Sequence, residues 1–312
     1  MAPVKQFSPM ALVKLAVSAA LIGWCLRSVD PGELAAAFAT IDPRAALACL
    51  AFLVAHTLLC AWRWRLVGRA LGLAGPAPRD AVRWMAFSVT LSQVLPSTVG
   101  GDAYRIAVLG RQEGVAAAAR CVIHDRLSGL WVLAALAGAA AAATAALAGP
   151  AGGALGAAPG FAALGGLVLA FVAAVPLAAW IGVHAEASRL WRMVRSPAIL
   201  ATSLGIHAMT LAAVAVLCMG FKPGAPLWWQ MALLTPAAML AAAVPVSVGG
   251  WGVREAALVA LAAAFAIPQS DALAVSIAFG VMMLANGVIG ALLWAADPGS
   301  SRRGAGAEAP RV

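Results

Sequence analysis

The chain has 312 residues, of which 63% are apolar and 11% charged, and its mean hydropathy is +0.93. That composition excludes a soluble globular domain and points to an integral membrane protein. The net charge of +9 would suggest nucleic acid in a soluble protein, but here the basic residues cluster between apolar runs, where the positive-inside rule accounts for them and no nucleic-acid partner is expected.

Apolar runs of roughly 17–25 residues are read as membrane spans. Lys5 and Lys14 lead into a first span at about 10–27. No small-x-small cleavage site followed by a polar domain marks it as a signal peptide, so it is expected to stay attached. A short loop with Asp30, Glu33 and Asp42 follows, and span two covers about 44–62. The next segment sets Arg63, Arg65, Arg69, Arg79 and Arg83 against Asp80, which places it and the N-terminus in the cytoplasm. The stretch 84–109 is apolar but interrupted at Pro96 and Gly100-Gly101, and Arg111, Arg120 and Arg126 follow it. Basic segments on both sides predict a re-entrant hairpin that enters from the cytoplasm and returns there. Span three (about 127–148), an external loop (149–160) and span four (161–182) come next. A short interfacial helix with Arg189, Arg192 and Arg195 precedes span five (198–219). The stretch 227–267, a last span at 272–296 and a cytoplasmic tail at 297–312, with Arg302, Arg303 and Arg311, complete the chain. Trp24, Trp62, Trp84, Trp131, Trp180, Trp228, Trp229 and Trp294 fall near span ends, where indole rings prefer the interface. The five cysteines show no CxxC spacing and read as small apolar residues, with neither disulfide nor zinc site implied.

One stretch is written twice. Leu95-Pro-Ser-Thr-Val-Gly-Gly-Asp-Ala-Tyr-Arg105 returns as Val244-Pro-Val-Ser-Val-Gly-Gly-Trp-Gly-Val-Arg254, with Pro96/Pro245, Val99/Val248, Gly100/Gly249, Gly101/Gly250 and Arg105/Arg254 in register. Two interrupted apolar segments in corresponding places are the mark of an inverted-repeat transporter, with its binding site between the halves. The fold expected is an all-α polytopic membrane protein in one transmembrane domain, 1–296. Its repeats cover about 10–148 and 161–296, with six full spans plus two opposed re-entrant hairpins. If 227–267 crosses twice, eight crossings give the same side to the tail, and charge does not distinguish the two.

An arginine at membrane depth needs a partner or a ligand. Pro96 and Pro245 end helices, and the Gly-Gly pairs allow a tight turn and a restart at about Asp102 or Trp251. The restarted helix would aim free N–H groups into the gap with Arg105 or Arg254 one turn in, which makes an anion site. Arginine also offers bidentate donors to a phosphate. The local alternative pairs Arg105 with Asp102 three residues away and Arg254 with an acid near Glu255. Recurrence of the arginine in both copies favours the ligand role, while Asp102 and Glu255 fit either. Arg120, His124, Asp125 and Arg126 read as a charged rim or as headgroup contacts. His56 and His207 sit in comparable spans and invite a proton relay, with coincidence the simpler account. Ser97 and Ser247 can bond backbone freed at the breaks. No GxxxxGK[ST] and no HExxH occurs, so ATP hydrolysis is excluded and no metal or cofactor is expected.

With both motifs quoted, and with Asp125-Arg126 and the Gly280 to Gly290 spacing of the last span beside them, the chain resembles the membrane domain of lysylphosphatidylglycerol synthases and its stand-alone flippase-like relatives. The resemblance spans essentially the whole chain and implies translocation of a lipid between leaflets of the bacterial inner membrane. The substrate-binding residues expected from the motifs and their charged neighbours are Arg105, Arg254, Asp102, Gly100, Gly101, Gly249, Gly250, Glu255, Asp125 and Arg126, and a membrane lipid is the expected partner. The sequence ends at Val312 without the synthase domain of the two-part members, so synthase activity is not carried over. The lipid is expected to bear a phosphate, an aminoacyl group or a sugar. Two other readings stay open: a polytopic lipid-modifying enzyme, and a membrane partner of a separate lipid-synthesis enzyme, including hopanoid synthesis.

Overall fold

The computed structural model describes residues 9–95, 99–148, 172–177, 185–221, 227–244, 246–262, 265 and 267–296. Pro96, Ser97, Pro245, Trp180, the loop 149–160, most of span four and the tail 297–312 lie outside the described residues. Helices and turns account for all described secondary structure, as the composition requires.

The first half opens with α1 (Pro9–Arg27), α2 (Pro31–Ala39) and α3 (Pro43–Ala70). The segment expected as a plain loop is largely α2, and Asp30 and Asp42 are helix caps. Asp30 accepts from the N–H groups of Gly32 and Glu33 at 2.7 and 3.0 Å, and Asp42 accepts from that of Arg44 at 2.8 Å. Each cap is followed by a proline at the first helical position, where a missing N–H costs nothing. Next come α4 (Pro78–Val94), α5 (Val99–Glu113) and α6 (Val115–Ala148). The turn between α5 and α6 rests on Gly114 at φ +85°. The helix of span three therefore begins a dozen residues before the expected boundary, and Arg120 to Arg126 sit on it rather than in a loop.

The second half contains α7 (Ala185–Val194), α8 (Pro197–Phe221), α9 (Leu227–Ala242), α10 (Val253–Ala262) and α11 (Gln269–Ala295). Among the described residues four helices are long and apolar enough to cross a bilayer: α3, α6 over Val115–Thr144, α8 and α11. The bent pair α1–α2, with 94° between its arms, makes a fifth if it counts as one span. At 1.5 Å per residue, α4, α5, α9 and α10 reach only about 15–26 Å, short of a hydrocarbon core about 30 Å thick.

Packing ties the halves together. α3 lies along α8, α4 packs on α11, and α9 packs on α6. Inside each half the neighbours are α3–α4, α4–α5 and α5–α6, matched by α8–α9, α9–α10 and α10–α11. Each of these contacts has its counterpart when α3 to α6 are exchanged with α8 to α11. Glycine allows the closest approach, since a Cβ on Gly290 of α11 would run into the backbone of Ala86 on α4. Thr90 Oγ1 donates to the Gly287 carbonyl at 2.6 Å across that seam. One apolar core gathers Leu53, Val214, Leu217, Leu258 and Phe279, and a second gathers Trp64, Met85, Leu109, Cys121 and Ile199.

Candidate functional site

The two motif copies fold differently. In the second, residues 246–252 form a turn in which Gly249, Gly250 and Gly252 take φ of +57°, +82° and +85°, a region open to glycine and costly to other residues. In the first, Gly100 and Gly101 belong to the opening turn of α5, and Gly101 is held so close to α4 that a Cβ would strike the Ser88 carbonyl and the Ser92 hydroxyl. The tight-turn role expected of both pairs holds for Gly249-Gly250 alone. At Gly100-Gly101 close packing takes its place.

Nor does the second copy present free N–H groups at its helix start as expected. The Gly252 N–H donates to Glu255 Oε2 at 2.6 Å, so Glu255 caps its own helix in the manner of a capping box. The Val248 N–H donates to Ser18 Oγ of α1 at 3.0 Å. Arg254 donates through Nε and Nη2 to Glu255 Oε1, at 3.0 and 2.5 Å, and Ser276 of α11 donates to the same oxygen at 3.0 Å. Its guanidinium also lies over the rings of Trp251 and Phe279, 5.1 and 5.6 Å from their centroids. Gly280 leaves the space for this stack, because a Cβ there would meet the Arg254 guanidinium and the Trp251 ring.

Arg105 is braced more heavily. Its Nη1 donates to Asp125 Oδ2 at 2.7 Å and its Nη2 to Asp102 Oδ1 at 2.5 Å, and its guanidinium lies 5.4 Å from the ring centre of Trp64. Asp125 accepts a second arginine, Arg63 Nε, at 2.9 Å, and Asp102 accepts Arg126 Nε at 2.9 Å. Three guanidiniums thus share two carboxylates, leaving one positive charge in excess. Arg105 and Asp125 are each 2% exposed and Arg63 is 6% exposed. The Arg126 side chain is 51% exposed. Arg63, which charge counting assigns to topology, is buried in this network, and Gly129 on α6 leaves room for its guanidinium. The sequence signal for it was available: it directly precedes Trp64 in an apolar helix, yet it looks like one more base in a cytoplasmic cluster.

These groups line two neighbouring cavities. A cavity of about 510 Å³ is lined by Asp102, Arg126 and Arg63 from the first half and by Gly249, Arg254 and Met283 from the second. His56 and His207 also line it, and His207 Nε2 lies 3.0 Å from the Gly129 carbonyl. An adjoining chamber of about 230 Å³ shares Arg63 and Arg126 and is lined by Arg105 and Asp125. Of the predicted site residues, Asp102, Arg126, Gly249 and Arg254 meet at the larger cavity, while Arg105 and Asp125 meet at the smaller. Gly100, Gly101, Gly250 and Glu255 line neither and support the elements that do. The volume is that of an ordinary small-ligand site.

The family model of the lysylphosphatidylglycerol synthase transmembrane region matches residues 11–290. The chain belongs to this family. Membership places it among membrane proteins of lipid metabolism and transport, and the match takes in both motif copies, the arginine network and every described helix that lines the cavity. No curated protein shows significant similarity to the chain.

Proposed function

We propose that this member of the lysylphosphatidylglycerol synthase transmembrane-region family is a lipid translocase, which moves a phosphate-bearing lipid between leaflets of the bacterial inner membrane without ATP. The observation that carries the reading is the single cavity faced by both motif copies, with Asp102 and Arg126 on one side and Gly249 and Arg254 on the other. The excess positive charge of the network rests on Arg126, the exposed member, so an incoming phosphate competes with Asp102 for it. Arg254 faces the same space from the other half. Arg63 and Arg105 hold the carboxylates in place, so that the site stays organised when Arg126 exchanges partners. The headgroup occupies the cavity, and Leu130, Leu133 and Leu136 of α6 give the acyl chains an apolar wall to lie against.

The exchange pattern of helix contacts supports an inverted repeat, and the shortness of α4, α5, α9 and α10 supports two opposed hairpins. Rocking of one half against the other would then open the cavity to each face in turn. The test is transfer of a fluorescent anionic phospholipid between leaflets of proteoliposomes. Arg126→Ala and Arg254→Ala are expected to abolish transfer in folded protein, and Arg126→Lys to restore it in part, because lysine lacks the bidentate geometry. Undiminished transfer in both alanine variants overturns the site. A product of altered mass rather than altered sidedness would make the protein a lipid-modifying enzyme instead. Absence of transfer by wild-type protein, together with co-purification of a lipid-synthesis enzyme, would assign it an assisting role.

A further inference from the structure

The charged run on α6 divides between two faces of the helix. Asp125 and Arg126 turn toward the arginine network, whereas Arg120 and His124, four residues apart and so stacked on one face, turn toward α7. There Glu186 meets two guanidiniums and an imidazole: Arg189 Nη1 at 2.5 Å, His124 Nε2 at 3.1 Å and Arg120 Nε at 3.8 Å. The other nitrogen of His124, Nδ1, lies 2.9 Å from the Arg120 carbonyl. Both ring nitrogens therefore lie beside oxygen atoms, one of them the Glu186 carboxylate. His124 is 4% exposed, while the Arg120 and Glu186 side chains are about half exposed, at 53% and 51%. Two guanidiniums and a histidine thus crowd one carboxylate at the mouth of a cavity of about 510 Å³, whose walls include Ala116, Ile123, Leu127, Val175 and Leu190. This cavity shares no lining residue with the central one.

We infer that this pocket between α6 and α7 is a second lipid site, selective for an anionic phospholipid. The phosphate meets Arg120 and Arg189 beside His124, and one acyl chain enters the apolar chamber beneath. Charge decides the class. A zwitterionic headgroup brings an ammonium to a rim whose carboxylate, Glu186, is already shared by two guanidiniums, whereas an anionic headgroup relieves the crowding. The site does not depend on transport by the central cavity.

The experiment is native mass spectrometry of the full chain, released from detergent holding equal amounts of phosphatidylglycerol and phosphatidylcholine with identical acyl chains. Every protein carries Arg126→Ala, which removes the central cavity's proposed ligand from the count and separates failure of that reading from failure of this one. The parent is expected to retain one phosphatidylglycerol in preference to phosphatidylcholine. Arg120→Gln with Arg189→Gln should lower that retention about tenfold, the factor corresponding to one strong polar contact, and leave phosphatidylcholine unchanged. Ile123→Trp fills the chamber from a position 53% exposed, so it leaves the core and the rim charges alone and should also lower retention. Equal retention of the two lipids by the parent, or phosphatidylglycerol retention unchanged in both variants, overturns the site.

Discussion

A buried carboxylate between two buried arginines is worth most as a partner and least as an isolated group. Asp125 accepts from Arg63 and Arg105, all three nearly inaccessible. Removing its charge strands Arg63 away from water and leaves Arg105 with Asp102 alone, a change of the kind that costs about 3–5 kcal/mol. Asp125→Asn is therefore expected to lower the thermal unfolding midpoint of the purified protein sharply. Adding Arg63→Gln to it should restore part of the loss, because the double variant leaves fewer unpaired charges, and the shortfall from additivity measures the coupling. A midpoint within a degree of wild type for Asp125→Asn would show that the network is not a brace. Arg105 and Arg254 are legible in the sequence as arginines at membrane depth, and the pairing of Arg105 with Asp102 follows from a three-residue spacing. The pairing with Asp125 is not legible, since it joins residues on α5 and α6 whose relative rotation depends on the Gly114 turn. Trp64 and Trp251, which offer their faces to the two motif arginines, carry no pattern that separates them from interfacial anchors.

The two motif copies show how far a repeat in sequence specifies a repeat in structure at the level of the element. Their shared Val-Gly-Gly is helical in α5 and a left-handed turn before α10, and the flanking residues explain the difference. Where the second copy has Gly252 at φ +85°, the first has Ala103, for which that conformation is costly. α5 consequently begins at Val99, whereas α10 begins at Val253. The glycine turn also gives α1 its seat: a Cβ on Gly252 would lie 2.8 Å from Leu21 Cβ and 2.9 Å from the Ser18 carbonyl. Gly252→Ala should cost about 1–2 kcal/mol from the backbone conformation alone, with the clash against α1 added to it. Gly114→Ala, at a similar φ but with nothing within 4 Å of the added carbon, should cost the backbone part only. Comparing the two unfolding midpoints isolates the packing of α1 on the second hairpin, and equal losses would mean that α1 contributes nothing there. The other elements divide in the same way. The long spans announce themselves by hydropathy, whereas the caps at Asp30-Pro31 and Asp42-Pro43 sit in a short charged segment that reads as a plain loop. The early start of α6 is hidden because its first turns carry the charges that a hydropathy reading assigns to a loop.

At the scale of the molecule, the consequence to test is that the halves are inverted. The expectation from spans and charge is that the turn between α5 and α6 lies in the cytoplasm and the corresponding turn before α11 outside, although both follow the same motif. Gln112 and Gln269 sit at these two turns, and both are exposed. Single cysteines at these positions, in a chain whose five native cysteines are replaced, should react with a membrane-impermeant maleimide from opposite sides. Gln112→Cys should be labelled only in inverted vesicles or opened cells, and Gln269→Cys in intact spheroplasts. Inversion would matter for mechanism because it relates the outward-open and inward-open shapes by a two-fold rotation about an axis in the membrane plane, each built from the same two hairpin packings with the halves exchanged. The cavity that Arg126 and Arg254 share would then have no fixed inside or outside, and a lipid held there could leave to either leaflet. Labelling of both cysteines from the same side would remove that symmetry and leave a bundle with a permanent mouth. Such a bundle can bind a headgroup, but it has no second shape in which to release it across the membrane.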